Sequence, residues 1–138
     1  MKGYIWVGCF EMPLNDIKFA VETPAFVYDE GRIVKAINDV RKLIGKNCQL
    51  LFPLKSFAIV DGLYLMAPLV DGFSCSSLFE SILARDVLRN VGTVHITTPG
   101  YRPDEIDDIA NICDYISFNS LSQLERFCKM LKITLIAE

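Results

Sequence analysis

The sequence has a single histidine, His95, and its five cysteines, Cys9, Cys48, Cys75, Cys113 and Cys128, include no C-x-x-C pair. A structural zinc site needs closely spaced thiolate or imidazole ligands, and an odd, scattered cysteine set lays out no disulfide framework, so neither is expected. The bland reading of these thiols is that they are small, reduced, buried hydrophobes. Charge of one sign is also missing. The 14 Lys and Arg stand against 17 Asp and Glu, net −3, with no basic block or stripe, so the electrostatic footprint of a nucleic-acid binder is absent. Long hydrophobic runs are lacking too. Residues 3–10 are apolar behind Lys2, but Glu11 and Pro13 interrupt a run too short for a membrane span and poor as a secretory signal. The expectation is a cytoplasmic protein with no metal, no nucleic-acid partner and no membrane contact.

What is present is enough for one domain: 138 residues, 51% of them hydrophobic, bury an independent core without staples. After a short extended run at residues 25–28, Ile33, Ile37, Val40 and Ile44 recur at helical spacing. Asp29 can cap the start and Gly45 can supply the left-handed stop, which predicts a helix over residues 30–44. The continuous apolar run at residues 50–54 fits a strand covered on both faces, although Pro53 cannot donate to an interior ladder. The pattern then repeats. Residues 56–69 read as a helix weakened by Gly62 and ended near Pro68, residues 72–75 as a strand, and Ser77 with Glu80 as a capping box opening a helix through Leu88. Residues 93–97 read as a strand. Pro103, Asp104 and Glu105 form a first turn leading to Ile106, Ile109, Ala110 and Cys113 on one helical face. Residues 115–118 read as a strand, Ser120 with Gln123 as a second capping box before Leu124, Phe127, Cys128 and Leu131, and residues 133–137 as a last strand.

Comparable strand positions, Leu50, Phe73, His95 and Ser117, are separated by 23, 22 and 22 residues, the period of a β/α repeat. Strands separated by helices are parallel with right-handed crossovers, which leaves a β/α barrel or an open doubly wound sheet. No G-x-G-x-x-G follows the first strand, so the dinucleotide-binding open sheet has no support. The expected fold class is α/β, a partial (β/α)8 TIM barrel of which this chain carries about the first half, because eight units need about 250 residues. Such a half leaves apolar strand edges open, and self-association or poor solubility of the isolated chain is expected.

In such barrels the functional face lies where strands end and helices begin. Lys55 closes the first strand there, Ser76 and Ser77 the second, Thr97 and Thr98 the third, Asn119 and Ser120 the fourth. On spacing alone Lys55 is a solvated strand-end residue. Its functional reading is a lysine whose charged form is disfavoured by burial at an apolar strand end, leaving the neutral amine that Schiff-base chemistry requires. The hydroxyls read first as helix caps. His95, mid-strand and with no nucleophile beside it in sequence, reads as a packed or surface imidazole. Asp104, Glu105, Asp107 and Asp108 complement a helix start rather than form an acid/base pair.

Five blocks in this order resemble carboxynorspermidine decarboxylase: Thr23-Pro24-Ala25-Phe26-Val27-Tyr28-Asp29, Leu54-Lys55-Ser56-Phe57-Ala58, residues 71–80 around Ser74-Cys75-Ser76-Ser77, His95-Ile96-Thr97-Thr98-Pro99-Gly100-Tyr101, and Phe118-Asn119-Ser120-Leu121-Ser122-Gln123-Leu124-Glu125. That family stands with alanine racemase and eukaryotic ornithine decarboxylase, whose pyridoxal-phosphate barrels carry a C-terminal β-domain. The resemblance implies that Lys55 is the catalytic and cofactor-binding lysine, that the cofactor is pyridoxal 5'-phosphate, and that a polyamine substrate, carboxynorspermidine or carboxyspermidine, loses carbon dioxide to give norspermidine or spermidine. It also implies a homodimer. Family members run to more than twice this length, and their later portion brings the glycine-rich phosphate loop, the acidic partner of the ring nitrogen and the C-terminal domain. The expected organisation is a segment of unclear role over residues 1–22 and the first half of a cofactor-binding barrel over residues 23–138. Two alternatives stand beside it. One is a non-catalytic remnant or weak pyridoxal-phosphate-binding module; the other is a different amino-acid decarboxylase or racemase of the same superfamily, disfavoured by the Phe-Asn-Ser-Leu-Ser-Gln block.

Overall fold

Asp29 decides where the first helix begins. In the computed structural model, which describes residues 28–45, 47–129 and 131, Asp29 is extended and its carboxylate accepts the Arg32 N–H at 3.0 Å. Helix α1, Glu30–Ile44, follows and stops at Gly45, where φ is 70° and the N–H returns to the Arg41 carbonyl. The start and stop expected from sequence are both found. Ile33, Ile37 and Ile44 turn inward, whereas Val40 at the same spacing stays 40% exposed.

Strand β1 is Leu51–Pro53, shorter than the 50–54 run, because the chain tightens into a 3-10 turn at Leu54–Ser56. Helix α2 is correspondingly reduced from the expected 56–69 to Val60–Met66, with a second 3-10 turn at Ala67–Leu69. Phe57 is the reason. It stays extended, its ring meets Tyr28 edge-on with centroids 5.6 Å apart, and it lies directly over Gly62, where a Cβ would collide with the ring. Gly62 is therefore a contact surface rather than a weakness.

The remaining units keep the expected order: β2 Gly72–Cys75, α3 Leu78–Leu88, β3 Thr93–Thr97, α4 Ile106–Ile112, β4 Tyr115–Ser117 and α5 Leu121–Cys128. β4 ends one residue before the predicted boundary. Both capping motifs form with one change of partner. Ser77 accepts the Glu80 N–H, but Glu80 reaches the Ser76 N–H at 2.6 Å; Ser120 accepts the Gln123 N–H, but Gln123 accepts from Asn119. The segments expected at residues 25–27 and 133–137, and residues 1–22, lie outside the described residues.

The four strands form one sheet in the order β1-β2-β3-β4, every neighbour parallel. This is the sequential βα arrangement read from the 22-residue period. Because side chains alternate faces along a strand, the register puts Phe73, Cys75, Val94 and Ile96 on one face. All four are buried, in one core with Leu54, Leu63, Met66, Ala84, Ile106, Ile109 and Phe127. Full burial of a side chain such as Phe73 is worth about 1.5–3 kcal/mol. Strand β3 shows the contrast: Val94 and Ile96 are fully buried while Thr93 and His95 are only half-buried. Gly72 is needed where β2 meets β3, since a Cβ there would overlap the Thr93 carbonyl and hydroxyl oxygens.

One clamp occurs twice at the start of the strands. Asp71, just before β2, accepts the Leu50 N–H at 2.6 Å and pairs with Arg41 of α1 at 2.7 Å, while Arg41 also donates to the Leu69 carbonyl. Asp114, just before β4, accepts the Val94 N–H at 2.7 Å and pairs with Arg85 of α3 at 2.7 Å, while Arg85 donates to the Ile112 carbonyl. Each clamp joins a helix, the end of the next helix and two adjacent strands.

Candidate active site at the strand ends

Lys55 is the middle residue of the 3-10 turn that ends β1. Leu54, 1% exposed, anchors the turn in the core; the Ser56 hydroxyl donates to the Pro53 carbonyl at 2.8 Å and the Phe57 N–H to the Leu54 carbonyl at 3.1 Å. A long flexible side chain is thus carried on a short fixed support. The burial invoked from sequence is not found. Lys55 is exposed, and among the described residues it makes no hydrogen bond or ion pair.

The other strand ends behave as the capping argument expects. Ser76 gives its N–H and hydroxyl to Glu80, and Ser77 and Ser120 cap α3 and α5. Thr97 ends β3 exposed, and the Thr98 hydroxyl faces the Gly100 carbonyl. Asp104 pairs with Arg102 at 2.8 Å on the surface, and Asp107 and Asp108 occupy the first turn of α4, so this acidic cluster is a solvated helix start. Among the described residues no group of three His, Cys, Asp or Glu side chains could hold a metal ion, and no helix is long and apolar enough to cross a membrane.

Sequence reasoning gave Tyr101 no role, yet it fastens the rim. It is 7% exposed, with its hydroxyl 2.7 Å from the Ser117 carbonyl and 3.2 Å from that of Ile96, bridging the ends of β3 and β4. Burial pushes the phenol up to about 12, so it remains a donor. Its ring packs edge-on against Phe118 and Phe127. The available signal was a tyrosine just past a strand, in a Thr-Thr-Pro-Gly-Tyr turn.

Beneath the rim, on the face opposite the core, Pro53, Ser74, His95 and Tyr115 form one row across all four strands. The rings of His95 and Tyr115 stack 4.4 Å apart at 16°, and His95 Nε2 lies 2.9 Å from the Thr93 hydroxyl. Burial lowers the imidazole below its ordinary value of 6.5 against the opposing pull of Asp114, so the ring is neutral at physiological pH. The packed-or-surface expectation for His95 is met halfway: it is half-buried and stacked.

This parallel sheet with its intervening helices superposes on a crystal structure of carboxynorspermidine decarboxylase from Campylobacter jejuni complexed with norspermidine, at a TM-score of 0.72 and 26% identity over 81% of the chain. The chain is similar to carboxynorspermidine decarboxylases. The match takes in 30% of the crystallised chain, whose fold is a barrel, so the four described strands correspond to part of one. Among curated proteins, the carboxynorspermidine/carboxyspermidine decarboxylases of Campylobacter jejuni and Herminiimonas arsenicoxydans are 29% and 33% identical, each over 78% of the chain. A carboxyaminopropylagmatine decarboxylase from Synechocystis is 30% identical over 85% of it. The chain spans about 30% of the length of these relatives: 28%, 29% and 30% respectively. No family model matches.

Proposed function

We propose that this chain is a fragment of a pyridoxal-phosphate-dependent decarboxylase of polyamine biosynthesis, with residues 23–138 supplying the opening part of its cofactor barrel and residues 1–22 a preceding segment. The substrate class is a carboxylated triamine, carboxynorspermidine or carboxyspermidine. Lys55 is the cofactor lysine, and the place of work is the cytoplasm. The single observation that carries the reading is an exposed lysine amine, unengaged among the described residues, on an anchored turn at the strand-end rim of a sheet similar to these decarboxylases.

The residues fit the aldehyde end of the cofactor. Bonding an aldehyde carbon requires an accessible amine, and Lys55 is exposed and makes no hydrogen bond or ion pair among the described residues. When bound, pyridoxal phosphate supplies the electron sink for loss of carbon dioxide. The chain's own share is positional: Leu54 and the 3-10 turn fix the support of the amine, and Tyr101 holds the ends of β3 and β4 together. A second reading is a module that holds the cofactor without turnover.

Borohydride reduction after adding pyridoxal phosphate, followed by peptide mapping, tests the lysine. The label is expected on Lys55, to disappear in Lys55→Ala and to persist in Lys42→Ala. Label on other lysines alone, or none, removes the assignment. A parallel assay for carbon dioxide release from carboxynorspermidine separates the two readings.

A further inference from the structure

Ala36, Val40 and Leu43 stand four and three residues apart on α1, the spacing that puts side chains on one face of a helix. The core uses a different face, since Ile33, Ile37 and Ile44 are the residues that turn inward. The stripe itself is left open: Ala36 is exposed, Val40 is 40% exposed and Leu43 is 85% exposed. It is continuous with further apolar surface, because Ala36 and Val40 line one wall of a groove whose other wall is Leu51, Phe52 and Val70. Single apolar side chains scattered on a surface need no explanation, but a stripe joined to an apolar groove marks an interaction surface. Arg41, in the same helix turn as Val40, is tied to Asp71 just before β2, so the surface lies toward the strand starts and away from the rim that carries Lys55.

The order of residues along the stripe says what fits it. Two α1 helices laid antiparallel about Val40 put the large Leu43 of each opposite the small Ala36 of the other, the large-to-small match by which packed helices interdigitate. The same pairing sets Asp39 of each opposite Lys42 of the other. These two side chains are 45% and 76% exposed and meet at 3.3 Å within one chain, so the carboxylate gains a second ammonium across the axis. A parallel pairing would instead set Asp39 on Asp39 and Leu43 on Leu43, and leave the space over Ala36 unfilled. We propose that α1 is a self-recognition surface, through which two copies of this chain pair about a twofold axis at Val40, with Leu43 of each filling the groove beside Ala36 of the other. The proposal goes beyond the Lys55 reading and does not rest on it.

Analytical ultracentrifugation of the full 138-residue chain tests the pairing. Leu43→Lys changes a side chain that is open in the single chain, so the unfolding midpoint is expected to hold while dimerisation weakens roughly tenfold. Asp39→Lys and Lys42→Asp are each expected to weaken dimerisation alone. An equimolar mixture of the two should recover it, because a mixed pair puts every reversed charge opposite its complement. An ion pair confined to one chain cannot give that recovery. A residue on a twofold axis meets its own copy, so Val40→Cys should cross-link to itself on mild oxidation, as read by peptide mapping. A dimer unmoved by Leu43→Lys, or a mixture no stronger than its two components, overturns the pairing. So does a wild-type chain that stays monomeric at high concentration: shielding of the Val40→Cys thiol from a maleimide would then show the groove covered by the same chain, and reaction would show it bare.

Discussion

Two aspartates carry more of this fold than their surface position suggests. Asp71 and Asp114 each hold a backbone N–H of the adjacent strand together with an arginine, and each arginine also satisfies a carbonyl at a helix end. A surface cluster such as Asp39 with Lys35 and Lys42, 45%, 76% and 76% exposed, contributes at most about 1 kcal/mol per pair and is screened by salt. The clamps differ because each carboxylate is also the charged acceptor of a strand N–H, a bond that a neutral amide oxygen makes more weakly. Asp71→Asn and Asp114→Asn are each expected to cost about 1–2 kcal/mol in urea unfolding, and Asp39→Asn less than about 0.5. Their acid dependence has a definite sign. Arg41 and the Leu50 N–H hold Asp71 below the ordinary 3.8; burial alone would raise Asp114, but the Val94 N–H and Arg85 outweigh it and lower it too. A carboxyl lowered in the folded state contributes stability that is complete above 3.8 and lost as pH falls through the folded value. The urea midpoint of the wild-type chain should therefore drop below that pH, and the two Asn variants should lose less over the same interval.

At the scale of elements, what the sequence made legible was whatever depends on neighbours close along the chain. The Asp29, Ser77 and Ser120 caps, the Gly45 stop and the 22-residue strand spacing are local, and each appears where residue types alone put it. The turn around the candidate lysine was not legible, because it is set by contacts across space. Within residues 54–59 only Leu54 is buried, Phe57 and Ile59 are half-buried and the rest are exposed, and the packing of Phe57 on Gly62 explains why no helix starts at Ser56. Intrinsic propensity says that Gly62→Ala gains about 1 kcal/mol in a helix interior. The geometry says otherwise, since the new methyl would lie 2.8 Å from Phe57 Cζ and closer still to Cε1. Gly62→Ala is thus expected to destabilise by about 1–2 kcal/mol, and in a Phe57→Ala background the same substitution should turn neutral or stabilising. A double-mutant cycle measured by thermal unfolding decides this. A stabilising effect of Gly62→Ala alone would show that Phe57 does not press on the helix.

For the whole molecule, the order of the four described strands was legible and closure of the sheet was not, because periodicity spaces strands and cannot tell what lies beyond a sheet edge. Among the described residues β1 has no partner on its outer side. Beneath that edge runs a groove of about 240 Å³ lined by apolar side chains, with Ala36, Ile37 and Val40 of α1 on one wall and Leu51, Phe52 and Val70 on the other. The three-residue length of β1 and its Pro53 limit ladder pairing at that edge, so it is the apolar groove beside it that offers a surface to another chain. This groove is also why Val40 stands 40% exposed at a position that helical spacing assigns to the core. The 138-residue chain is therefore expected to self-associate, eluting above its monomer mass in size-exclusion chromatography with light scattering. Val40→Lys places a charge in the groove without touching the β1 ladder. It should weaken association roughly tenfold, as an ammonium in an apolar interface must be desolvated, and leave the thermal midpoint of the diluted chain unchanged. A clean, stable monomer of the unsubstituted chain at high concentration would show that this edge is covered within one molecule, and the half-open ring would have to be abandoned.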